Sequence, residues 1–151
     1  MVGGESADFN KADAVLQRYA RSYQLLGPAG SGQLAKMVNQ ICIAGLVQAL
    51  SEGLAFAEKA GLDANLVLEV ISKGAAQSWQ MENRGKSMVA NKFDFGFAVD
   101  LMRKDLGLVF EQANKIGAKV EVTQLVDQFY SEVQAMGGNR WDTSSLIKRL
   151  K

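Results

Sequence analysis

Residues 32–60 read GQLAKMVNQICIAGLVQALSEGLAFAEKA, and the helical architecture of the chain is predicted from this stretch first. It contains no proline, and Gly45 and Gly53 are the only glycines between its ends. Its middle is apolar on nearly every face, which is typical of a helix buried on several sides. Gly61 follows directly, and a glycine just past the end of a helix readily caps it. The stretch therefore predicts one helix of roughly 40 Å, with residues 41–50 buried.

The rest of the chain is also dominated by helical signals. Apolar residues recur at helical spacing, and glycines or capping residues separate the segments. Asp63 is suited to cap one helix, and Thr143 or Ser144 is suited to cap the last. Further helices are predicted over residues 7–22, 64–72, 78–90, 99–116 and 122–136, with a last short one ending at Leu150. From residue 31 onward these elements predict a mainly α fold, a helical bundle around one long central helix.

The first thirty residues follow a different pattern. Residues 1–4 and 23–26 read as short strands on either side of the first helix, ahead of a glycine-rich break at residues 27–32. Two lone strands are marginal at best, because they cannot bury a sheet face between them. The pattern predicts a short β-α-β remnant of a larger sheet, in a chain that is incomplete at its N-terminus.

The composition favours a soluble globular protein, with 48% hydrophobic and 22% charged residues. The net charge is +1 and no long basic run occurs, so nucleic acids and membranes are poor candidates as partners. No signal peptide is expected, because residues 1–5 show no basic and then apolar segment. Its one cysteine, Cys42, lies in an apolar run and is expected to be a small buried residue. With no disulfide possible inside the chain, the expected location is the reducing cytoplasm.

The complete absence of histidine narrows the possible chemistry. It removes the commonest metal ligand and the commonest general base. Zinc chemistry and Ser-His or Cys-His catalysis are therefore disfavoured, and no metal site is expected. Proton transfer in this chain would have to use a carboxylate, a lysine or a tyrosine.

Lys36 is a candidate for such a group. It lies in the opening turns of the long helix, with Asn39 and Gln40 three and four positions later on the same face. Their amides are neutral donors and acceptors that can hold a substrate carboxylate or hydroxyl. A solvated lysine at a helix start is common and is the more ordinary interpretation, so the spacing alone does not establish a site. Residues 27–32 lack the lysine and hydroxyl of a phosphate-binding P-loop, and Ala35 replaces the third glycine of a dinucleotide fingerprint.

Two longer motifs resemble those of a known family. Residues 30–40, GSGQLAKMVNQ, resemble the G-x-G-x-x-x-K-x-x-N-N/Q motif of the β-hydroxyacid dehydrogenases. This family, 6-phosphogluconate dehydrogenase-like in its helical domain, includes 3-hydroxyisobutyrate dehydrogenase, tartronate semialdehyde reductase and the glyoxylate/succinic semialdehyde reductases. Residues 95–108, FGFAVDLMRKDLGL, are similar to its second C-terminal motif, G-F-x-x-D-L-x-x-K-D-L. The resemblance covers essentially the whole chain.

The resemblance implies a role for each of two lysines. Lys36 matches the lysine that gives a proton to the substrate oxygen, or takes it, during hydride transfer, and Asn39 and Gln40 would help to anchor the substrate. Gln40 stands where many members have asparagine. Lys104 matches the lysine that reaches the cofactor, NAD or NADP, near the nicotinamide; without the family it would be an ordinary surface charge. We therefore predict that Lys36 and Lys104 face a common cleft.

The same resemblance implies a domain assignment. Residues 1–30 are expected to be the C-terminal remnant of a dinucleotide-binding Rossmann domain, and residues 31–151 the helical domain for substrate binding and dimerisation. The chain has no G-x-G-x-x-G, so the cofactor is expected to be held mainly by a missing N-terminal domain. The chain alone is then expected to be inactive. The rings of Phe93, Phe95 and Phe97, predicted to face inward, would lie beside the active-site cleft.

Three functions remain open on this basis. The leading one is part of a cytoplasmic NAD(P)-dependent oxidoreductase that interconverts a short β-hydroxyacid, similar to 3-hydroxyisobutyrate, and its semialdehyde. A second is a non-catalytic helical self-association module, which has no need for two lysines to converge. A third is a family member adapted to imine reduction or to a non-enzymatic reader role. So apolar a helix in so small a domain also predicts a homodimer or higher homo-oligomer.

Overall fold

The computed structural model describes all 151 residues as a mainly helical chain without a β-sheet. The chain divides into two compact units, Met1–Gln40 and Ile41–Lys151. The predicted domain boundary between residues 30 and 31 comes from the family resemblance, whereas these two units are defined by their compactness. The predicted boundary stays a prediction. The six α-helices are α1 (Ser6–Leu16), α2 (Ser31–Lys59), α3 (Ala64–Ile71), α4 (Trp79–Val89), α5 (Val99–Ile116) and α6 (Glu121–Ala135), and a C-terminal 3₁₀ helix covers Thr143–Leu150.

Helices α2 to α6 begin and end within one residue of their predicted bounds, and local caps set several of these ends. Asp63 accepts hydrogen bonds from two backbone N–H groups of the first turn of α3, at 2.8 and 3.3 Å. Ser78 caps α4 in the same way at 3.1 Å. Gly117 follows α5 in the left-handed conformation, with φ 71°, which glycine adopts without steric cost.

The strands predicted in the first unit are not confirmed. Val2 and Leu25 form only an isolated parallel bridge. The Val2 N–H donates to the Gln24 carbonyl at 3.0 Å, and the Leu26 N–H donates to the Val2 carbonyl at 2.8 Å. So short a pairing has no sheet to extend into. Helix α1 also ends at Leu16 rather than at residue 22, and it buries none of its residues, so no tertiary packing supports further turns.

The second unit has two hydrophobic clusters. The first lies where α2, α5 and α6 meet the C-terminal 3₁₀ helix, and the second lies where α2, α3 and α4 meet it. Trp141 packs against both clusters. The buried residues of the first cluster include Val47, Met102, Leu106, Tyr130 and Leu146, and those of the second include Leu54, Leu68, Met88, Phe93 and Ile147.

Helix α2 is less buried than its sequence predicts. Ala44, Val47 and Leu50 are buried, but Leu46 is 46% exposed and Cys42 is exposed as well. The expectations that Cys42 is a buried residue and that residues 41–50 are buried throughout are therefore wrong. A helix buries only the faces that neighbouring elements cover, and no element of this chain covers the face that carries Cys42 and Leu46.

By length and composition alone, α2 could cross a membrane. Half of its most apolar stretch is buried inside the protein, and the core helix of a soluble protein meets the same criterion. The apolar character of α2 is therefore weak evidence for a membrane span.

Asp142 joins the C-terminal segment to the loop before α5. Its carboxylate is fully buried and accepts hydrogen bonds from the Ser144 N–H at 3.1 Å and the Ser144 hydroxyl at 2.6 Å. It also accepts from the Phe97 N–H at 2.9 Å and forms an ion pair with Arg84 at 3.2 Å. Asp142 is thus the cap of the 3₁₀ helix, and the prediction that Thr143 or Ser144 caps it is wrong. The carboxylate one position earlier reaches the free N–H groups better.

The three phenylalanines of the loop do not all face inward. Phe93 is buried and Phe97 is half-buried, but Phe95 is 40% exposed. Gly96 turns the backbone with φ 72°, so the simple alternation of an extended segment fails there. The Phe95 ring instead contacts the Arg84 guanidinium, 5.2 Å from its centroid, in a cation–π arrangement.

Candidate functional site

Lys36, Asn39 and Gln40 lie together on the first turns of α2, within the first unit. The Lys36 Nζ donates a hydrogen bond to the Gln40 Oε1 at 2.8 Å. The Asn39 Nδ2 donates to the same oxygen at 2.9 Å. About one helical turn separates Lys36 from Gln40, so their spacing in sequence sets this contact. The structure thus brings the three predicted site residues into one hydrogen-bonded group.

The three side chains differ in exposure. Lys36 and Asn39 are exposed, whereas Gln40 is only 1% exposed. A buried amide oxygen requires donors, and the Gln40 Oε1 obtains them from Lys36 and Asn39. Gln40 therefore holds the two neighbouring side chains in place, while Lys36 and Asn39 are accessible to a bound molecule. The substrate contacts predicted for Asn39 and Gln40, and the catalytic role predicted for Lys36, stay predictions.

A groove of about 480 Å³ opens beside Lys36. Gly3 allows the N-terminal segment to approach the start of α2 closely. A Cβ added at Gly3 would lie 2.7 Å from the Pro28 carbonyl oxygen and 2.8 Å from the backbone nitrogens at the start of α2. Sequence reasoning missed Gly3 as a site residue, although the glycine pair at positions 3 and 4 was an available signal. The groove is lined by Met1, Val2, Gly3, Gly32, Gln33 and Lys36.

The groove is suited to a negatively charged group. Because α2 begins at Ser31, the positive end of its helix dipole lies beside the groove. The first turn of α2 carries no acidic residue that would offset this dipole. Lys36 adds a second positive centre, so a carboxylate in the groove would be attracted by both.

Lys104 lies in the first half of α5, within the second unit. Its side chain is 66% exposed, and its Nζ lies 3.4 Å from the Asp105 carboxylate. The preceding Arg103 is bound to α6 instead, through a bidentate contact with Asp127. Lys104 is therefore the cation that this segment presents to solvent. Lys36 and Lys104 belong to different compact units, and their convergence on one cleft stays a prediction.

Two of the three tyrosines, which are also candidate proton carriers, have raised pKa values. Burial raises the pKa of Tyr130, and the nearby charge of Asp142 raises it further. Tyr23 donates a hydrogen bond to Asp13 at 2.6 Å, and this bond is the main cause of the raised pKa of Tyr23. A phenol whose pKa is raised above its ordinary value of about 10 keeps its proton at neutral pH. Tyr23 and Tyr130 therefore hold their protons tightly at neutral pH.

The structure contains no group of three or more acidic or cysteine side chains placed to hold a metal ion. The structure thus describes two separate candidate regions, the α2 group with its groove in the first unit and Lys104 in the second.

Comparison with known proteins assigns relatives to the chain. Residues 30–150 match the family model described as NAD-binding of NADP-dependent 3-hydroxyisobutyrate dehydrogenase. The match includes both lysine motifs.

Individual relatives match the chain along its whole length. It is 63% identical over 151 residues to an uncharacterized oxidoreductase of Shewanella frigidimarina, covering 100% of this chain and 52% of the relative. It is 33% identical to the 2-hydroxy-3-oxopropionate reductase of Escherichia coli, again covering 100% of this chain and 52% of the relative. The solved structure of Mycobacterium tuberculosis 3-hydroxyisobutyrate dehydrogenase with L-serine superposes with a TM-score of 0.89 at 30% identity, covering 100% of this chain and 54% of that one. The chain spans about half the length of the curated relatives it matches.

Proposed function

Because the chain belongs to the 3-hydroxyisobutyrate dehydrogenase family, we propose that it is the helical part of an NAD(P)-dependent oxidoreductase. The reaction interconverts a short β-hydroxyacid and its semialdehyde, with Lys36 as proton donor and acceptor. The activities named for the Escherichia coli and Mycobacterium tuberculosis relatives support this class of substrate. The observation that carries the proposal is the exposed Lys36 amine, held 2.8 Å from the buried Gln40 at the edge of a groove.

The residues of α2 supply the polar half of the chemistry. Reduction of a semialdehyde adds a hydride to the carbonyl carbon and a proton to the carbonyl oxygen, and NAD(P)H, when bound, supplies the hydride. Lys36 donates the proton as negative charge develops on the oxygen. Asn39 binds the substrate carboxylate or hydroxyl, and the start of α2 stabilises the negative charge. Gln40 keeps the Lys36 amine in place. In the oxidative direction Lys36 takes the proton back.

The residues of this chain fit one end of the cofactor. The exposed Lys104 ammonium can donate hydrogen bonds to polar groups near the nicotinamide. Ala35 stands where a dinucleotide fingerprint would have its third glycine, so the chain offers no such binding turn for the diphosphate. A separate nucleotide-binding domain would hold that part. The exposed, unpaired thiol of Cys42 fits an enzyme of the reducing cytoplasm.

The test is an assay of the whole enzyme, meaning this chain joined to its nucleotide-binding domain. We expect oxidation of NADH or NADPH with semialdehydes such as 2-hydroxy-3-oxopropionate, because their carboxylate fits the positive start of α2. Propanal, which lacks a carboxylate, should react much more slowly. The isolated 151-residue chain should show no turnover. Cofactor oxidation with imines but with none of the semialdehydes would contradict the proposal.

Replacing Lys104 by alanine should raise the apparent KM of the whole enzyme for its cofactor. A hydrogen bond from a charged group is worth more than a neutral one, but solvent screens this exposed side chain, so we expect about a threefold to tenfold increase. The turnover number at saturating cofactor should change less. Lys115→Ala, also on α5 and also exposed, is the matched control. Equal KM values for the two variants would show that Lys104 is a surface charge.

We further propose that the enzyme self-associates through the outer face of α2. This outer face consists of Cys42, Leu46, Ala49, Gly53 and Phe56. They follow one another at three- and four-residue spacing and so share one side of the helix. Phe56 is 73% exposed and Leu46 is 46% exposed. An apolar groove of about 260 Å³ continues this surface toward α3. Soluble monomers rarely expose so continuous an apolar surface, and a two-fold dimer would cover it.

Sedimentation analysis of the whole enzyme checks this proposal. We expect a dimer or larger oligomer, and Phe56→Glu should shift it toward monomer by placing a charge in the buried contact. Val122→Glu adds the same charge at a position on α6 that is 68% exposed, and it should leave the oligomer intact. A clean monomer at high micromolar concentration, or an oligomer unaffected by Phe56→Glu, would contradict the outer face as the interface.

A further inference from the structure

A polar network joins α5 to α6 in the second unit. The Arg103 Nε and Nη2 donate to the two carboxylate oxygens of Asp127 at 2.9 and 3.1 Å. The Arg103 Nη1 donates to the Gln134 Oε1 at 2.6 Å. The Gln134 Nε2 donates in turn to the Asp100 Oδ1 at 2.5 Å, and the same oxygen accepts from the Asn139 Nδ2 at 3.1 Å. Gln134 therefore connects two points on α5 that are about one turn apart.

The Arg103–Asp127 pair is the most directional contact of the network. Paired N–H groups on paired carboxylate oxygens fix the angle of the guanidinium as well as its distance. The side chains are 34% and 18% exposed, so solvent competes with them only in part. The hydrogen bond to Asp127 is also the main cause of the raised pKa of Arg103. Arg103 is thus bound to α6, and it is not a freely solvated charge.

The network restricts the rotation and shift of α5, which hydrophobic packing alone does not. Helix α5 buries Val99, Met102, Leu106 and Val109 against the core. Apolar burial depends on the area removed from water and is not directional, so it tolerates small rotations and shifts of the helix. Hydrogen bonds at Asp100 and Arg103 restrict both. The Cα–Cβ bond of Lys104, the next residue, then also points in a fixed direction, about 100° further around the helix.

We propose that Gln134, through Arg103 and Asp100, positions Lys104 for its contact with the cofactor. Gln134 is bonded to Arg103 and Asp100, and it acts as a positioning residue. This inference rests on the proposed function, in which Lys104 reaches the nicotinamide end of the cofactor. It extends that function by giving α6 a part in cofactor binding.

The test is Gln134→Met in the whole enzyme, a substitution that keeps the length of the side chain and removes both of its hydrogen bonds. We expect the KM for the cofactor to rise about threefold to tenfold, while the turnover number at saturating cofactor stays within about twofold. Gln128→Met, at an exposed position of the same helix, should leave the KM unchanged. Asp127→Asn, which removes the charge from the network and keeps the shape, should act like Gln134→Met.

A double-mutant cycle separates positioning from a general loss of stability. If Gln134 acts through Lys104, Gln134→Met should have no further effect on the cofactor KM once Lys104 is alanine. The inference is wrong if the fold-increases in cofactor KM of the two single variants multiply in the double variant. It is also wrong if Gln134→Met leaves the KM unchanged while Lys104→Ala raises it. In both cases the proposed function stands. If Lys104→Ala leaves the KM unchanged, the assigned role of Lys104 fails, and this inference fails with it.

Discussion

Replacing Lys36 by methionine in the whole enzyme should lower the turnover number by about 10²–10⁴-fold, the usual contribution of a general acid or base. Methionine keeps a similar length and removes the proton donor. The cofactor KM should change little, because Lys36 lies in the groove at the start of α2 and is assigned to the substrate. Steady-state rates at saturating substrate and cofactor measure the effect. Lys59→Met, at the exposed far end of the same helix, is the matched control.

The rate-limiting step decides how this result is interpreted. A primary isotope effect with deuterated cofactor shows whether hydride transfer limits turnover. If Lys36→Met kept near-normal turnover with hydride transfer rate-limiting, Lys36 would be a structural residue and the mechanism would be wrong.

Gly96→Ala should be the most destabilising single-methyl change in the loop before α5. Gly96 has φ 72°, and an added Cβ would overlap the buried Asp142 carboxylate and lie 3.3 Å from the Arg84 Nη2. Left-handed backbone costs a non-glycine residue about 1–2 kcal/mol, and overpacking a filled site costs about 1–3 kcal/mol more. We therefore expect a total loss of about 2–5 kcal/mol in the free energy of unfolding.

Gly117→Ala is the control for the backbone term. Gly117 has nearly the same φ, 71°, and an added Cβ there meets no atom within 4 Å. It should cost only the backbone term of about 1–2 kcal/mol. Thermal unfolding of both variants measures the difference, which should appear as a clearly lower Tm for Gly96→Ala. Equal Tm values would show that the Asp142 carboxylate moves aside without cost.

The helix bounds could be predicted because local interactions set them. Asp63 and Ser78 accept hydrogen bonds from N–H groups two or three residues further along the chain. Gly117 ends α5 through its own conformational freedom. The groups that form such interactions lie only a few positions apart in the sequence. Predictions that rested on them were confirmed to within one residue.

Other features depend on partners that are distant in sequence. The hydrogen bond from the Phe97 N–H to Asp142 spans 45 positions, and no local sequence pattern predicts it. Likewise, an all-apolar stretch does not indicate which of its faces a neighbour will cover, so Cys42 was expected to be buried and is exposed. The α1 helix and its flanking strands were overestimated, because their local pattern lacks the packing that would extend them.

The candidate site was predictable where spacing alone decides proximity. Lys36 and Gln40 are four positions apart on a helix, and they form the expected contact. Gly3 was missed because its close approach to the start of α2 is a tertiary feature. The roles of Lys36 and Lys104 came from the resemblance of two motifs to those of a family, and local geometry alone does not assign them.

A structure of the whole enzyme with NAD(P)⁺ and a short β-hydroxyacid would test the proposed roles of both lysines. We expect the Lys36 Nζ to lie within hydrogen-bond distance of the substrate hydroxyl oxygen, about 2.6–3.2 Å, and Lys104 to reach the nicotinamide end of the cofactor in the same cleft. A substrate bound away from Lys36, with the Lys36 and Lys104 amines on opposite faces of the protein, would contradict these roles.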